Sequence, residues 1–127
     1  MNLLLKPRTP MASQIPDLIQ TAYAAFNARD IDAVFATMQP TVRWSKAWEG
    51  NYANGYDEVR AYWTRQWKEI NPKVEPVKLT ERADGRMEVE VHQTVHDLTG
   101  NLLFDGPVTH IYGFENGLII SMDIEQR

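Results

Sequence analysis

The sequence predicts an α+β domain in which three N-terminal helices cover the concave face of a strongly curved, mixed or antiparallel sheet. Two observations lead to this fold. Apolar residues recur at helical spacing in three segments before residue 71, and strand-like segments separated by turn residues follow. Helices that cover a bent sheet leave a pocket wherever they do not fill the bend. At 127 residues the chain has room for one domain.

Two helices are expected before residue 40. Ser13 is the predicted N-cap of the first helix, because its hydroxyl can accept a hydrogen bond from a free backbone N–H. Asp30 is the predicted cap of the second, shorter helix. Gln39-Pro40 is expected to stop that helix, because proline lacks the N–H that a helix needs. Residues 1–12 are interpreted as a flexible tail, and residues 13–127 as one domain.

A short strand and a third helix follow. Residues 41–44 are predicted to form the strand, and residues 45–56 a loop rich in Gly and Asn. The third helix is expected over residues 57–70. Asn71-Pro72 would close it, because the residue before a proline avoids the helical conformation.

The rest of the chain predicts antiparallel strands joined by tight turns. Glu115-Asn116-Gly117 is the clearest hairpin signal, because Asn-Gly suits a two-residue turn. A bulge or bend is expected at Asp105-Gly106-Pro107, since proline lacks one of the hydrogen bonds of a sheet. The expected strands cover residues 74–81, 87–98, 102–114 and 118–125.

All four tryptophans lie in one stretch of the chain, between residues 44 and 67. Tryptophan has a large apolar face and one N–H donor, so this concentration predicts an aromatic-lined hollow. Trp44, Trp63 and Trp67 are the expected walls, and Trp48 is expected on a loop at the mouth. The alternative is an ordinary core of helix packed on sheet. The hollow favours a small apolar or aromatic molecule as the partner.

The strand over residues 87–98 has two different faces, because side chains alternate along a strand. If the polar face lines the hollow, it offers groups that titrate near neutral pH. If the valine face is buried instead, each valine contributes roughly 1.5–3 kcal/mol, and the histidines point away from the core. The two faces are Glu90, His92, Thr94 and His96 on one side, and Val89, Val91 and Val95 on the other.

Composition excludes several classes of function. The net charge of −4 and the lack of a basic patch argue against a nucleic-acid binder. There is no cysteine, so there is no thiolate nucleophile and no thiolate metal site. His92 and His96 lie ~13 Å apart on an extended strand, too far to share one metal ion. No cofactor or metal is therefore expected. No apolar run approaches the ~20 residues of a membrane span, which favours a cytoplasmic protein.

Two segments resemble the nuclear-transport-factor-2-like superfamily. The run Tyr23-Ala24-Ala25-Phe26-Asn27-Ala28-Arg29-Asp30 resembles its first-helix signature, and the run His110-Ile111-Tyr112-Gly113-Phe114-Glu115-Asn116-Gly117-Leu118-Ile119 resembles its final hairpin. Both are most similar to the SnoaL-like branch, which includes polyketide cyclases and ketosteroid isomerases. The resemblance spans residues 13–126. It implies a cystatin-like cone with a pocket, commonly a homodimer formed through the outer face of the sheet.

The ketosteroid isomerase residues do not transfer to this chain. Those enzymes use a tyrosine and a protonated aspartic acid as hydrogen-bond donors, and a second aspartate as base. Aligned without gaps, the resemblance places Ala22 at the tyrosine, with Tyr23 one residue away. It places Trp44 at the base and Thr109 at the protonated aspartic acid. Neither alanine nor tryptophan can do that chemistry, so steroid isomerisation by that mechanism is not expected.

Polyketide cyclases place an aspartate in the last strand, and Met122-Asp123-Ile124 resembles that site. The resemblance therefore implies Asp123 as an acid–base residue, with His92 as its candidate partner, although strand parity would turn Asp123 outward unless a bulge intervenes. The same alignment turns His110 to the outer face. The residues expected to contact a ligand are Tyr23, Trp44, Trp48, Trp63, Trp67, His96, Thr109 and Ile111.

Three functions follow from these expectations. The first is a SnoaL-like small-molecule-binding domain with an aromatic-lined apolar pocket and no assigned activity. The second is a cyclase or isomerase that works by acid–base proton transfer. The third is a dimerisation or interaction module whose pocket is vestigial.

Overall fold

The computed structural model describes residues 10–47 and 49–125, with side chains from residue 14 onward. The described part of the chain contains three helices and six strands. The helices are α1 (Pro10–Asn27), α2 (Ile31–Phe35) and α3 (Gly55–Trp67). The strands are β1 (Met38–Ser45), β2 (Tyr52–Asn54), β3 (Ile70–Glu81), β4 (Met87–Asp97), β5 (Leu102–Glu115) and β6 (Leu118–Glu125).

The strands form one open, mixed sheet in the order β2-β1-β6-β5-β4-β3. β1 and β6 run parallel, and every other neighbouring pair is antiparallel. The pairing register shifts in β1–β6, β3–β4, β4–β5 and β5–β6, and such irregularities bend a sheet. The predicted class, helices packed against one face of a curved mixed sheet, is confirmed.

The core lies between the helices and the inner face of the sheet. α1, α2 and α3 contribute Ile19, Val34 and Val59, all with at most 1% of their surface exposed. The sheet contributes Val89 and Met122 on the opposite side of the same cluster. Burial of each such side chain stabilises the fold by roughly 1.5–3 kcal/mol, so this layer determines which face of every strand points inward.

The predicted cap of α2 is confirmed, but the predicted end of that helix is wrong. Asp30 Oδ1 accepts a hydrogen bond from the Ala33 N–H at 3.2 Å. The helix ends at Phe35, and Gln39-Pro40 lies inside β1. The β1–β6 register shifts between residues 38 and 43, and β2 pairs only with residues 43–45. The missing N–H of Pro40 therefore costs no ladder hydrogen bond.

The end of α3 also differs from the prediction. Ile70, Asn71 and Pro72 belong to β3 instead of closing the helix, which ends at Trp67. β3 is an edge strand, where a proline is tolerated because one side of the strand is unpaired. The predicted loop over residues 45–56 contains the short strand β2.

The turn predicted at Asn116-Gly117 is confirmed, with φ of 52° and 81° as a two-residue hairpin requires. The bulge predicted at residues 105–107 is wrong, because β5 stays in register with β4 there. The irregularities lie at Leu103 and next to Gly113. Pro107 is tolerated because the β6 pairing begins only at Thr109.

Some predictions concern residues that the structure does not describe. Residues 1–9 of the predicted tail lie outside the described residues, whereas Pro10, Met11 and Ala12 belong to α1. Trp48 also lies outside them. Within residues 10–47 and 49–125, no helix has the length and hydropathy that a membrane crossing would require.

The capping hydrogen bond of α2 gives a first test. Asp30→Ala removes the acceptor for the Ala33 N–H and is expected to lower the free energy of unfolding by about 1 kcal/mol. Asp30→Asn keeps a side-chain oxygen and is expected to stay within a few tenths of a kcal/mol of the parent. Urea denaturation measures both variants. Equal losses in the two variants would contradict the assignment of the cap.

Candidate functional site

A cavity of about 60 Å³ lies between the helices and the inner face of the sheet. α1, α2 and α3 form one side of it, and β1, β3, β4, β5 and β6 form the other. A single water needs roughly 10–15 Å³, and pockets for drug-sized ligands have about 300–1,000 Å³. The cavity therefore holds a small group as it stands, and a larger ligand requires wall side chains to move. Its aromatic lining consists of Tyr23, Phe26, Trp44, Tyr62, Trp63 and Tyr112.

Edge-to-face contacts hold the aromatic wall together. The rings of Trp44 and Trp63 lie 5.2 Å apart at an angle of 87°. Tyr112 meets Trp44 at 6.2 Å, and Phe26 meets Trp63 at 5.4 Å. Such pairs contribute about 0.5–1.5 kcal/mol beyond simple burial. Rings from α1, α3, β1 and β5 thus form one continuous wall.

Contrary to the prediction, Trp67 stands behind this wall and does not line the cavity. Its ring stacks on Trp63 at 6.0 Å, and the Arg29 guanidinium lies 4.9 Å from its centroid. Arg29 is held there by hydrogen bonds to the carbonyl oxygens of Phe26 and Pro72. Trp67 therefore serves to join the end of α1 to α3 and β3.

A chain of three buried polar side chains crosses the wall. Tyr112 Oη donates to Tyr23 Oη at 2.8 Å, and Tyr23 Oη lies 2.7 Å from Nδ1 of His110. The Tyr23 and His110 rings are also stacked, at 5.9 Å and 14°. The three residues come from α1 and β5, and each lines the cavity.

All three members of this chain are neutral near pH 7. Burial raises the pKa of Tyr23 and that of Tyr112 above the usual phenol range. Burial lowers the pKa of His110 to about 4, because a charged imidazole loses its hydration there. Among the described residues that line the cavity, none is Asp, Glu, Lys or Arg. The cavity is therefore uncharged and mainly apolar, with this chain as its fully buried polar patch and with Ser45, Gln66 and Gln93 as further neutral polar groups.

The placement of His110 corrects the expectation that it faces outward. His110 pairs with Val89 and Tyr112 pairs with Met87, and both partners belong to the buried core. Thr109 and Ile111 alternate with them and therefore lie on the outer face. The gap-free alignment places Thr109 inside the cavity, so that alignment is displaced by one residue along β5. Tyr23, Trp44 and Trp63 line the cavity, and their contact with a ligand stays a prediction.

The histidines of β4 lie on the outer face. The valines of this strand are buried and Gln93 lines the cavity, so the alternating residues His92 and His96 point away from it. His92 Nε2 lies 2.6 Å from Asp105 Oδ1, and about half of each side chain is exposed. The polar strip predicted on this strand therefore does not face the hollow.

Asp123 lies on the outer face as well. It pairs with Ile111, while its neighbour Met122 lines the cavity. Tyr52 Oη donates to Asp123 Oδ1 at 2.5 Å, and the Arg43 guanidinium is 3.6 Å from the other carboxylate oxygen. No bulge intervenes to turn Asp123 inward, so neither predicted acid–base residue lines the cavity.

Sequence reasoning missed four aromatic side chains of the site: Phe26, Tyr62, His110 and Tyr112. One available signal would have found the last two. The burial energy of the valines of β4 favours an inward valine face, and cross-strand pairing then places His110 and Tyr112 inside. In the described part of the chain, no group of three or more His, Cys, Asp or Glu side chains could hold a metal ion.

Comparison with known proteins places this geometry in a family. The family model of the SnoaL-like domain matches residues 19–122. No curated protein matches the chain.

Several solved structures share the fold. An NTF2-like protein of unknown function from Burkholderia pseudomallei is 24% identical, with 87% of this chain and 88% of that chain covered and a TM-score of 0.75. A putative polyketide cyclase from Pseudomonas putida is 20% identical, with 87% and 89% covered and a TM-score of 0.74. A cystatin-fold protein from Novosphingobium aromaticivorans is 17% identical, with 87% and 96% covered and a TM-score of 0.71. At these identities the likeness is one of fold, and it matches the cone predicted from the sequence. Because the family model covers most of its length, the chain belongs to the SnoaL-like domain family.

Proposed function

We propose that this SnoaL-like domain binds a small, uncharged, apolar or aromatic molecule in the cavity between its helices and its sheet. The observation that supports the proposal is a wall of six aromatic side chains with one buried polar patch. Ligand sites are typically apolar hollows with a few placed polar groups. A charged ligand is disfavoured, because it would lose its hydration without meeting an opposite charge.

The aromatic wall supplies the main attraction for such a ligand. Trp44 is the one ring of the Trp44–Trp63 pair that is not fully buried, and it lines the cavity. A planar ligand can stack on it or meet it edge to face. Ring movement at this position would also enlarge the cavity beyond about 60 Å³ for a larger ligand.

A matched pair of tryptophan variants tests the binding site. The probes are indole, phenol and benzene, first by thermal shift and then by calorimetry. Trp44→Phe is expected to weaken the binding of a probe by roughly two- to tenfold, the equivalent of the 0.5–1.5 kcal/mol of an aromatic pair. Trp67 lies behind the wall, so Trp67→Phe is expected to change the affinity for the probe less than twofold.

Urea denaturation of both variants separates lost binding from lost stability. The proposal fails if none of the probes stabilises the parent chain, which is the result expected of a vestigial pocket. It also fails if Trp67→Phe weakens binding as much as Trp44→Phe does.

A second candidate is an enzyme that transfers a proton, as the likeness to a putative polyketide cyclase suggests. The observation that favours it is a neutral imidazole bonded to a phenol inside the cavity. In this version His110 and Tyr23 would contact the reacting atoms. Asp123 and His92, the acid–base residues expected from the sequence, could contact reacting atoms only in a reaction on the outer face of the sheet. Efficient acid–base groups have a pKa near the working pH, and His110 at about 4 lies well below it. Binding is therefore the first candidate.

The neutral state of buried His110 has a measurable effect on stability. In the unfolded chain the imidazole takes up a proton near pH 6.5, whereas in the folded chain it does so only near pH 4. The unfolded state therefore binds more protons between these values, and stability falls as the pH drops through this window. The expected loss is about 3 kcal/mol at roughly 1.4 kcal/mol per pKa unit.

Urea denaturation between pH 4 and pH 7 measures this loss. His110→Gln is expected to lack this component of the pH dependence, whereas His92→Gln, on the exposed outer face, is expected to keep it. The same slope in the parent and in His110→Gln would mean that His110 is not held neutral.

The homodimer through the outer sheet face stays a prediction. This face carries both signs of charge, with Arg43 near Asp123 and Arg82 bonded to Glu88 and Glu125. A two-fold axis brings the same patch of both copies together, and mixed charges can be complementary across it. Sedimentation velocity on the whole chain is expected to give twice the single-chain mass of 14.6 kDa. The single-chain mass at all concentrations would contradict the prediction.

A further inference from the structure

We propose that the cavity selects a ligand that presents a hydrogen-bond acceptor, such as a carbonyl oxygen, to the Nε2–H of His110. Tyr23 and Tyr112 are the positioning residues, because their hydrogen bonds determine which ring nitrogen of His110 has the proton. The inference rests on the proposed binding function and names the chemical class of its ligand.

The direction of the hydrogen-bond chain is the first step. Each phenol has one proton to donate. The Tyr112 hydroxyl is directed at Tyr23 Oη, at 2.8 Å. The proton of Tyr23 is then available for Nδ1 of His110, at 2.7 Å. Burial keeps both phenols protonated, so each has a proton to donate over the whole neutral pH range.

The tautomer of His110 follows from that direction. A neutral imidazole has one N–H and one bare nitrogen. Nδ1 accepts from Tyr23 and is therefore the bare nitrogen, so Nε2 is the donor. Since His110 does not become charged until the pH approaches 4, this state is the one that a ligand meets at neutral pH.

The surroundings of Nε2 show where this donor points. No described residue forms a hydrogen bond with it. Among the described residues, Trp67 Nε1 is the one side-chain nitrogen or oxygen atom that is fully buried and has no hydrogen-bond partner. His110 Nε2 also has no described partner, so it is not fully buried and borders open space. His110 lies on the inner face of β5 and lines the cavity, and that open space is therefore the cavity. An acceptor on the ligand would satisfy this N–H.

The other polar groups of the cavity do not discriminate in the same way. Gln66 Nε2 donates to Tyr62 Oη at 3.1 Å and is already engaged. Ser45 and Gln93 also line the cavity, but a hydroxyl or an amide can donate or accept. At the His110 end of the cavity, the described surroundings restrict the imidazole to donation. The preference for an acceptor at that end therefore depends on His110 and on the two tyrosines behind it.

Two ligands of equal size test the preference. Acetophenone and isopropylbenzene differ by a carbonyl oxygen in place of a methyl group. Calorimetry on the parent chain is expected to show about tenfold tighter binding of acetophenone, which corresponds to about 1.4 kcal/mol. Tyr23→Phe removes the partner of Nδ1 and is expected to reduce this preference to about threefold or less. Tyr52→Phe makes the same chemical change on the outer face and is expected to preserve it.

A spectroscopic readout separates positioning from packing. Nitrogen–proton correlation spectra of the whole chain, labelled at histidine, report which nitrogen of His110 is protonated. Nε2 is expected to have the proton in the parent and in Tyr52→Phe. In Tyr23→Phe the population protonated at Nδ1 is expected to rise, and in Tyr112→Phe to rise less.

The outcomes distinguish the inference from the function on which it rests. If both ligands bind equally well, or if Nδ1 has the proton in the parent, the inference is wrong while the binding function stands. If neither ligand binds, and indole, phenol and benzene do not bind either, the proposed function itself is wrong.

Discussion

The inward orientation of the β4 valines is the constraint on which the rest of the structure depends. An open sheet covered by helices on one side has a single face on which apolar side chains are fully buried. Val89 and Val91 occupy that face, and alternation then sends Gln93 to the cavity and His92 outward. Pairing with β5 transmits the same parity to His110 and Tyr112. A one-residue slip would exchange every one of these side chains between the two faces.

Charge is separated from the cavity by the same alternation. The cavity has only neutral groups along its described lining, while the ion pairs of β1, β4 and β6 lie on the outer face. Arg82 reaches both Glu88 on β4 and Glu125 on β6, so its guanidinium must cross β5 above Thr109 and Ile111. These two residues, which were expected to contact a ligand, are thereby buried on the side away from the cavity.

Features with a local cause could be predicted from the sequence. The cap at Asp30 and the turn at Asn116 depend on their own side chains and dihedral angles, so neighbouring residues suffice to identify them. The structural effects of the prolines could not be predicted in the same way. A strand tolerates a proline only where no neighbouring strand would accept a hydrogen bond from an N–H at that position, and that neighbour is distant in sequence. Pro72 lies on an edge strand, and Pro107 lies beyond the end of the β6 pairing. Neither fact is visible in a short window of sequence.

The site could be predicted only in part, for a similar reason. Tyr23, Trp44 and Trp63 were identified because large aromatic side chains on an apolar stripe are buried whatever the exact register. His110 was not, because its side depends on register, and a gap-free alignment was wrong there by one residue. The valines of β4 indicate the correct orientation, since the free energy gained by burying them outweighs the free energy of placing a histidine on either face.

The hydrogen bonds of the buried polar groups bear on whether the cavity is a binding site or part of a filled core. A core that needs to bury two phenols and an imidazole can satisfy them by bonding them to one another, and the bonds from Tyr112 to Tyr23 and between Tyr23 and Nδ1 do so. That arrangement always leaves one group over, because an imidazole has two nitrogens and the chain uses one. A position that served only to fill the core could have an aliphatic side chain in place of His110, with no N–H that needs a partner. The position has instead a donor that faces open space and no described partner, next to aromatic rings that a planar molecule can contact. The leftover N–H is thus the group to which the proposed ligand would present its acceptor.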